Sequence, residues 1–269
     1  MTELFEQDQY QESRQSSKGN QLKWRRGCNW YKADSSGYEG LAEYMVSELL
    51  RESDLHQEEY VLYQTEEIRY GVQTWHGCVS RNFLQEGSQL LTLERLYHNH
   101  SGLSLYQSLY QIDSVEERVR FLVEKISQLT GITDFGVYLS KMITIDALFL
   151  NEDRHMHNIA VILADDGSYH LCPLFDHGAS LLSDTTLDYP IDHADLYEMM
   201  GRVRAKGVSP CFDEQLDTVE SLYGQQIHFT FNADKVRKLL RAEPYYPEQV
   251  KRRVERIILE QMRRYPYLF

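Results

Sequence analysis

No stretch of the 269-residue sequence approaches the roughly 18 consecutive apolar residues that a membrane-crossing helix needs. The opening segment, Met1 to Gln15, is acidic and polar and does not read as a secretory leader. Cysteine is scarce. Cys28, Cys78, Cys172 and Cys211 lie far apart and form no C-x-x-C pair, a pattern that argues against a disulfide framework or structural zinc and fits a reducing cytoplasm. Positive charge is short as well: 28 Lys and Arg stand against 41 Asp and Glu, and a formal charge of −13 argues against nucleic acid as the main partner. Neither a Walker A loop nor G-x-G-x-x-G is present, and internal repeats and low-complexity linkers are missing.

What is there is the composition of an ordinary globular protein, 42% apolar and 26% charged, long enough for one large domain or two lobes around a cleft. The stretch to Asn20 reads as polar and loose at its beginning. Leu22–Trp24 and Asn29–Ala33 read as strands about a turn at Arg25, Arg26 and Gly27. An amphipathic helix is predicted over Tyr38–Arg51, with Leu41, Ala42, Met45, Val46, Leu49 and Leu50 on one face. Tyr60–Gln64, Ile68–Val72 and Ser88–Thr92 suggest further strands. Beyond Leu93 the pattern turns helical, over Val115–Leu129 and over Phe135–Phe149, whose buried stripe is Phe135, Leu139, Met142, Ile143 and Leu150. Ile159–Ala164 and Tyr169–Leu174 form a predicted hairpin about Asp166-Gly167. Ile227–Phe231 looks strand-like, and a last helix over Pro247–Arg264 turns Val250, Val254, Ile257, Ile258 and Met262 inward and its many Lys and Arg outward. A membrane role for that basic helix is weaker than a solvated cationic face. The expectation is an α+β fold of two unequal lobes: 1–95, small and strand-rich, and 96–269, larger and mainly helical.

The most informative stretch is Asn151-Glu152-Asp153-Arg154-His155-Met156-His157-Asn158, followed by the hairpin and then Phe175-Asp176-His177-Gly178. An Asp, an Asn five positions on, a strand pair and a second Asp is an order of polar groups that phosphoryl transfer can use. One carboxylate orients the attacking hydroxyl and accepts its proton; an amide oxygen and another carboxylate hold Mg²⁺ against the phosphates. Two other readings use the same residues: a polar loop that caps the preceding helix, and a metal-hydrolase site built from Asp153, His155, His157, Asp176 and His177. No third histidine sits at a familiar ligand spacing, so His155 and His157 read better as loop braces.

Towards the front, Lys32 lies among Trp30, Tyr31 and Ala33, where a charge needs a partner. Glu43 lies one turn inside the following helix, and a strand lysine paired with a helix glutamate can hold a nucleotide's α- and β-phosphates. Ser16-Ser17-Lys18-Gly19-Asn20-Gln21-Leu22-Lys23 is a Gly-containing polar turn that can offer backbone N–H groups to phosphates or simply be a flexible turn. Asp184 to Asp195, with Asp188, Asp192 and His193, reads as a solvated acidic loop, or as an acidic lining for an aminated small substrate.

The sequence resembles the HipA-like serine/threonine kinases. Asn151-x-Asp153-Arg154-His155-x-x-Asn158 and Leu171-Cys172-Pro173-Leu174-Phe175-Asp176 are similar to that family's catalytic loop and metal-binding segment. Ser16-x-x-Gly19-x-Gln21-x-Lys23 is similar to its phosphate loop, Lys32 with Gly40-Leu41-Ala42-Glu43-Tyr44 to its lysine strand and helix, and Ser209-Pro210 through Gln215, more weakly, to a later segment. About fifteen residues precede the loop, as in a short form without the additional N-terminal subdomain. The resemblance implies a protein-kinase-like fold, ATP with Mg²⁺ (Mn²⁺ able to replace it), and transfer to Ser or Thr of a protein. It makes Asp153 the base, Asn158 and Asp176 the metal ligands, Lys32 the phosphate lysine and Glu43 its partner. Ser17, Gly19, Gln21 and Lys23 take the phosphate loop's part, and Ser16 is the candidate for self-phosphorylation. A protein substrate, and an antitoxin-like regulatory partner, are the partners it implies, with neither nucleic acid nor membrane among them. A small-molecule kinase on the same fold, or a nucleotide-binding pseudokinase acting as an interaction module, is the alternative.

Overall fold

A computed structural model of the chain describes residues 1–10, 21–191 and 195–269. Its strands are β1 Thr2–Leu4, β2 Gln9–Tyr10, β3 Lys23–Arg26, β4 Asn29–Ala33, β5 Tyr63–Tyr70, β6 Gln73–Arg81, β7 Gln89–Thr92, β8 Ala160–Leu163 and β9 Tyr169–Leu171. Its helices are α1 Glu39–Leu50, α2 Leu93–Ser101, α3 Leu105–Tyr110, α4 Val115–Thr130, α5 Phe135–Phe149, α6 Leu196–Arg202, α7 Phe212–Tyr223, α8 Ala233–Ala242 and α9 Glu248–Arg264. The fold is mixed α and β, in two compact units: Met1–Asn82, Phe175–Val203 and Phe229–Phe269 form the first, Phe83–Leu174 and Arg204–His228 the second.

The first unit is built on a six-stranded sheet in the order β1-β5-β6-β4-β3-β2, antiparallel except for β1 on β5. Leu4, Trp24, Tyr31, Ala33 and Ile68 close over one face, with Trp75 and Tyr70 packed against Trp24. Side chains alternate along a strand, so Lys32, between Tyr31 and Ala33, is turned to the other face, where α1 lies. The inward stripe of α1 is sealed: Leu41, Ala42, Met45, Val46, Leu49 and Leu50 are each 0% exposed. Gly40 sets how close helix and sheet come, and Gly77 how close β6 lies to β4. A Cβ on Gly40 would stand 2.4 Å from the carbonyl carbon of Gly77, and one on Gly77 would stand 2.1 Å from the Lys32 carbonyl oxygen. Neither position has room for a side chain, and the helix therefore rests on the backbone of β6.

The start of α1 is tied from upstream. Asp34 Oδ1 accepts from Gly40 N at 2.7 Å, its Oδ2 accepts from the Tyr246 hydroxyl at 2.8 Å, and Glu39 gathers the amides of Ser35, Ser36 and Gly37. Burial and the neighbouring Glu39 carboxylate push Asp34 up to about 7, against the Gly40 amide and Tyr246 hydroxyl, which favour its ionised form. The folded state thus keeps a proton that the unfolded chain, with an ordinary carboxyl near 4, has lost. The stability this group contributes is full below pH 4 and is lost as pH rises through 7. Part of Asp34 remains accessible, which trims the effect to about 2–3 kcal/mol. In urea unfolding, Asp34→Asn is expected to be more stable than the parent at pH 8 and to lose that advantage by pH 4.5. Parallel stability–pH curves would remove Asp34 as the cause.

The second unit carries the three-stranded antiparallel sheet β7-β8-β9 and helices α2 to α5 and α7. In α5, Phe135 to Phe149, all but Val137 and Lys141 are buried, so burial extends round most of the helix, beyond the expected single stripe, and takes in Ser140, Thr144 and Asp146. That helix ends at Leu150, whose φ of 56° puts it in the left-handed region and whose N–H closes on Asp146 O.

The elements depart from expectation at several places. The opening segment contributes β1 and β2, where a loose start was expected, because the sheet edge supplies partners that a short polar segment cannot supply alone. Arg25 and Arg26 belong to β3, and the turn sits at Gly27, with φ 58°. Tyr60–Gln64 and Ile68–Val72 merge into one strand, β5, whose turn at Gly71-Val72 leads into β6. Ile227–Phe231 is no strand: Phe229 makes a single bridge to Ser53. On α9, Met262 is partly exposed, and Arg253 is buried, donating to the carbonyl oxygens of Tyr189 and Pro190. Among the described residues no helix is long and apolar enough to cross a membrane.

Candidate functional site

In the first unit three side chains separated by up to 144 residues meet. Lys32 Nζ donates to Glu43 Oε1 and to Asp176 Oδ1, each at 2.7 Å, and stands 5.3 Å from the centre of the Tyr63 ring. Glu43 is 1% exposed, and its second oxygen accepts from His177 N at 2.7 Å. Asp176, 29% exposed, is the member that solvent reaches. Its backbone is left-handed at φ 63°, a conformation that costs a non-glycine residue about 1 kcal/mol or more and has to be held by its surroundings. The Lys32 ion pair and a long contact from Asp176 N to the Tyr63 hydroxyl, 3.4 Å, do so. Burial alone would lower the Lys32 pKa; the two carboxylates outweigh it and hold the ammonium well above its ordinary value.

Asp153 and Asn158 belong to the second unit, in the loop that leaves α5. The loop is anchored by Arg154, 4% exposed, which forks onto Asp146, 1% exposed, through Nε at 2.9 Å and Nη2 at 3.1 Å. Arg154 Nη1 reaches Asn158 O at 3.2 Å, and Asn151 Nδ2 donates to Asp146 Oδ1 at 2.8 Å. So fixed, the loop folds Asn158 Nδ2 onto Asp153 O at 2.8 Å and towards Asp153 Oδ2 at 3.3 Å. The other Asp153 oxygen accepts from Lys206 Nζ at 2.7 Å. Sequence reasoning missed Lys206, for a lysine 53 residues downstream carries no signal that points back to this loop.

The histidines are loop parts. His155 Nδ1 accepts from His157 N at 3.3 Å, and its Nε2 lies 3.9 Å from Asp153 Oδ2; burial lowers the His155 pKa although Asp153 opposes it. Among the described residues no three His, Cys, Asp or Glu side chains are grouped to hold a metal ion. Of the expected phosphate loop, Ser16, Ser17 and Gly19 lie outside the described residues. Gln21 is partly buried just before β3, and Lys23 opens β3 directly across from Lys32. In the acidic stretch Asp192 and His193 also lie outside the described residues. Asp184 is buried, with Oδ1 accepting from Leu187 N at 3.0 Å, and Asp195 caps α6. Those two are structural groups, whereas Asp188 is exposed.

No protein-family model and no curated protein matches the sequence. In structure the chain is similar to the crystal structure of a Helicobacter pylori proinflammatory kinase, CtkA. The TM-score is 0.61 over 94% of this chain and 91% of that one, with 13% of residues identical. A likeness at that identity is one of fold, and the fold is kinase-like.

Proposed function

We propose that this kinase-fold chain is an ATP-dependent phosphotransferase of the HipA-like kind, moving the γ-phosphoryl group of ATP to a serine or threonine hydroxyl of a protein. The observation that carries the reading is Lys32, whose ammonium is shared at 2.7 Å between a buried helix glutamate and a partly exposed aspartate. A lysine held this way is charged and immobile, which is what a group receiving a nucleotide's α- and β-phosphates must be.

The donor chemistry fits a small divalent ion. Asp176 offers carboxylate oxygen; the amide nitrogen of Asn158 is engaged with Asp153, which leaves the amide oxygen as the atom that can meet a cation. Hard oxygen donors of this kind suit Mg²⁺ or Mn²⁺. The ion, when bound, would neutralise phosphate oxygens. Asp153 orients the acceptor hydroxyl and takes its proton as the new P–O bond forms and the bond from the γ-phosphorus to the bridging oxygen breaks, with ADP as the leaving group. Lys32 stabilises the charge on the nucleotide phosphates, and Glu43 keeps Lys32 in place. Ser17, Gly19, Gln21 and Lys23 complete the grip on phosphate, and Ser16 is the position for self-phosphorylation.

Incubation with γ-labelled ATP and cell-lysate proteins tests the reading. Label is expected on protein serine or threonine when Mg²⁺ is present and is expected to vanish with chelator. Label confined to small molecules would make the acceptor an antibiotic or lipid headgroup, and absence of ATP turnover with every acceptor would leave a nucleotide-binding module. Self-label lost in Ser16→Ala would mark the regulatory serine.

A further inference from the structure

We propose that Lys206 is a positioning residue for the Asp153 carboxylate, and that the segment from Ser209 to Gln215 is the brace that presents it. This rests on the phosphotransferase reading, since it assigns Lys206 its work through Asp153.

Lys206 sits in a loop fastened on both sides within the second unit. Ala205 N donates to Pro210 O at 3.1 Å; the Tyr110 hydroxyl donates to Gly207 O at 3.2 Å; Arg118 Nη1 donates to Val208 O at 3.0 Å while its guanidinium lies 4.6 Å over the Tyr110 ring. Ser209, 0% exposed, donates its hydroxyl to Glu214 and accepts from Cys211 N at 3.1 Å. Gln215, 2% exposed, presses Oε1 against the turn so closely that a Cβ on Gly207 would come within 2.8 Å of it. Pro210 and Gln215 thus act on the turn that carries Lys206, and Ser209 ties the entry of α7 beside them.

Stability does not account for this construction. The Lys206 side chain is 41% exposed, and an ion pair to so accessible a lysine contributes little to folding. Geometry does account for it. Asp153 is 15% exposed and can rotate about its carboxyl bond. Lys206 on Oδ1 and Asn158 on Oδ2 hold that rotation from both sides, so one carboxylate orientation faces an incoming hydroxyl. A lysine has three donors, of which one is spent here, so the group can pin Asp153 without being saturated by it.

The test compares Lys206→Met, Lys206→Arg, Gly207→Ala, Asp153→Asn and the Lys206→Met/Asp153→Asn double variant with the parent in steady-state phosphoryl transfer. Lys206→Met is expected to lower kcat about 30-fold while leaving KM for ATP within about 2-fold, the mark of an interaction used in the transition state. Lys206→Arg should restore most of that loss. Gly207→Ala, which keeps the lysine and sets a methyl against the buried Gln215 amide, should reproduce part of it. On the Asp153→Asn background Lys206→Met should cost nothing further, a coupling that a merely structural residue would not show. Parental kcat in Lys206→Met beside an inactive Asp153→Asn would overturn the assignment and leave the kinase reading standing; parental kcat in Gly207→Ala would overturn the part given to the brace. A parent protein without any phosphoryl transfer would overturn both readings together.

Discussion

Asp153→Asn is expected to reduce phosphoryl transfer by about 1,000-fold or more while leaving the thermal midpoint nearly unchanged. The amide has the shape of the carboxylate but takes no proton. It also places a donor nitrogen where Asn158 Nδ2 and Lys206 Nζ, 3.3 and 2.7 Å from the two oxygens, already donate. On the proposed mechanism, the orientation of the acceptor and the uptake of its proton are lost together. The fold loses little, because the charge removed is partnered mainly by a lysine that is 41% exposed. Initial rates at saturating ATP, set beside a calorimetric midpoint, separate the two effects. Unchanged turnover in a folded variant would remove Asp153 from the mechanism.

Arg154→Leu is expected to do the reverse and strike the fold first, costing about 3–5 kcal/mol. Asp146 is 1% exposed, and the guanidinium that neutralises it comes from a residue 4% exposed. Without Arg154, Asn151 still donates to a carboxylate that burial already penalises, since burial pushes its pKa upward against Arg154 and Asn151. The same change frees Asn158 O, so the loop that shapes Asp153 loosens too. A fall in thermal midpoint of about 10 °C is the expected measurement. Asp146→Leu combined with Arg154→Leu should recover much of that fall, because removing both charges leaves neither stranded. A single variant as stable as the parent would show that the buried pair does not hold this loop.

The elements that sequence reasoning found are those whose own residues carry the period. In α1 the six expected inward residues are all fully buried, and α5 runs from Phe135 to Phe149 as expected, because both have dense apolar spacing and clear breaks. The β8–β9 hairpin was readable from Asp166-Gly167, with Gly167 at φ 83°. What escaped depends on partners elsewhere in the chain. Strand β6, Gln73 to Arg81, contains Gly77 and His76 and shows no alternation; it is a strand because β5 and β4 bond to both its edges. Asp153 and Asn158 are visible as neighbours since one short loop joins them. The meeting of Lys32 with Asp176 and of Lys206 with Asp153 spans 144 and 53 residues, and no local rule encodes either.

The first unit is stitched from three stretches of chain, the last being Phe229–Phe269, whereas the second needs nothing beyond His228. On a ribosome the second unit therefore has all its parts while the first still waits for its final 41 residues, about 2–8 s of translation. Until then the sheet that bears Lys32 lacks α8 and α9, and Tyr246 has not yet reached Asp34. A nascent chain stalled before Phe229 would already contain Lys32, Glu43 and Asp176 but not α8, which packs on α1, so the support behind the helix that carries Glu43 is made only after every residue of the second unit.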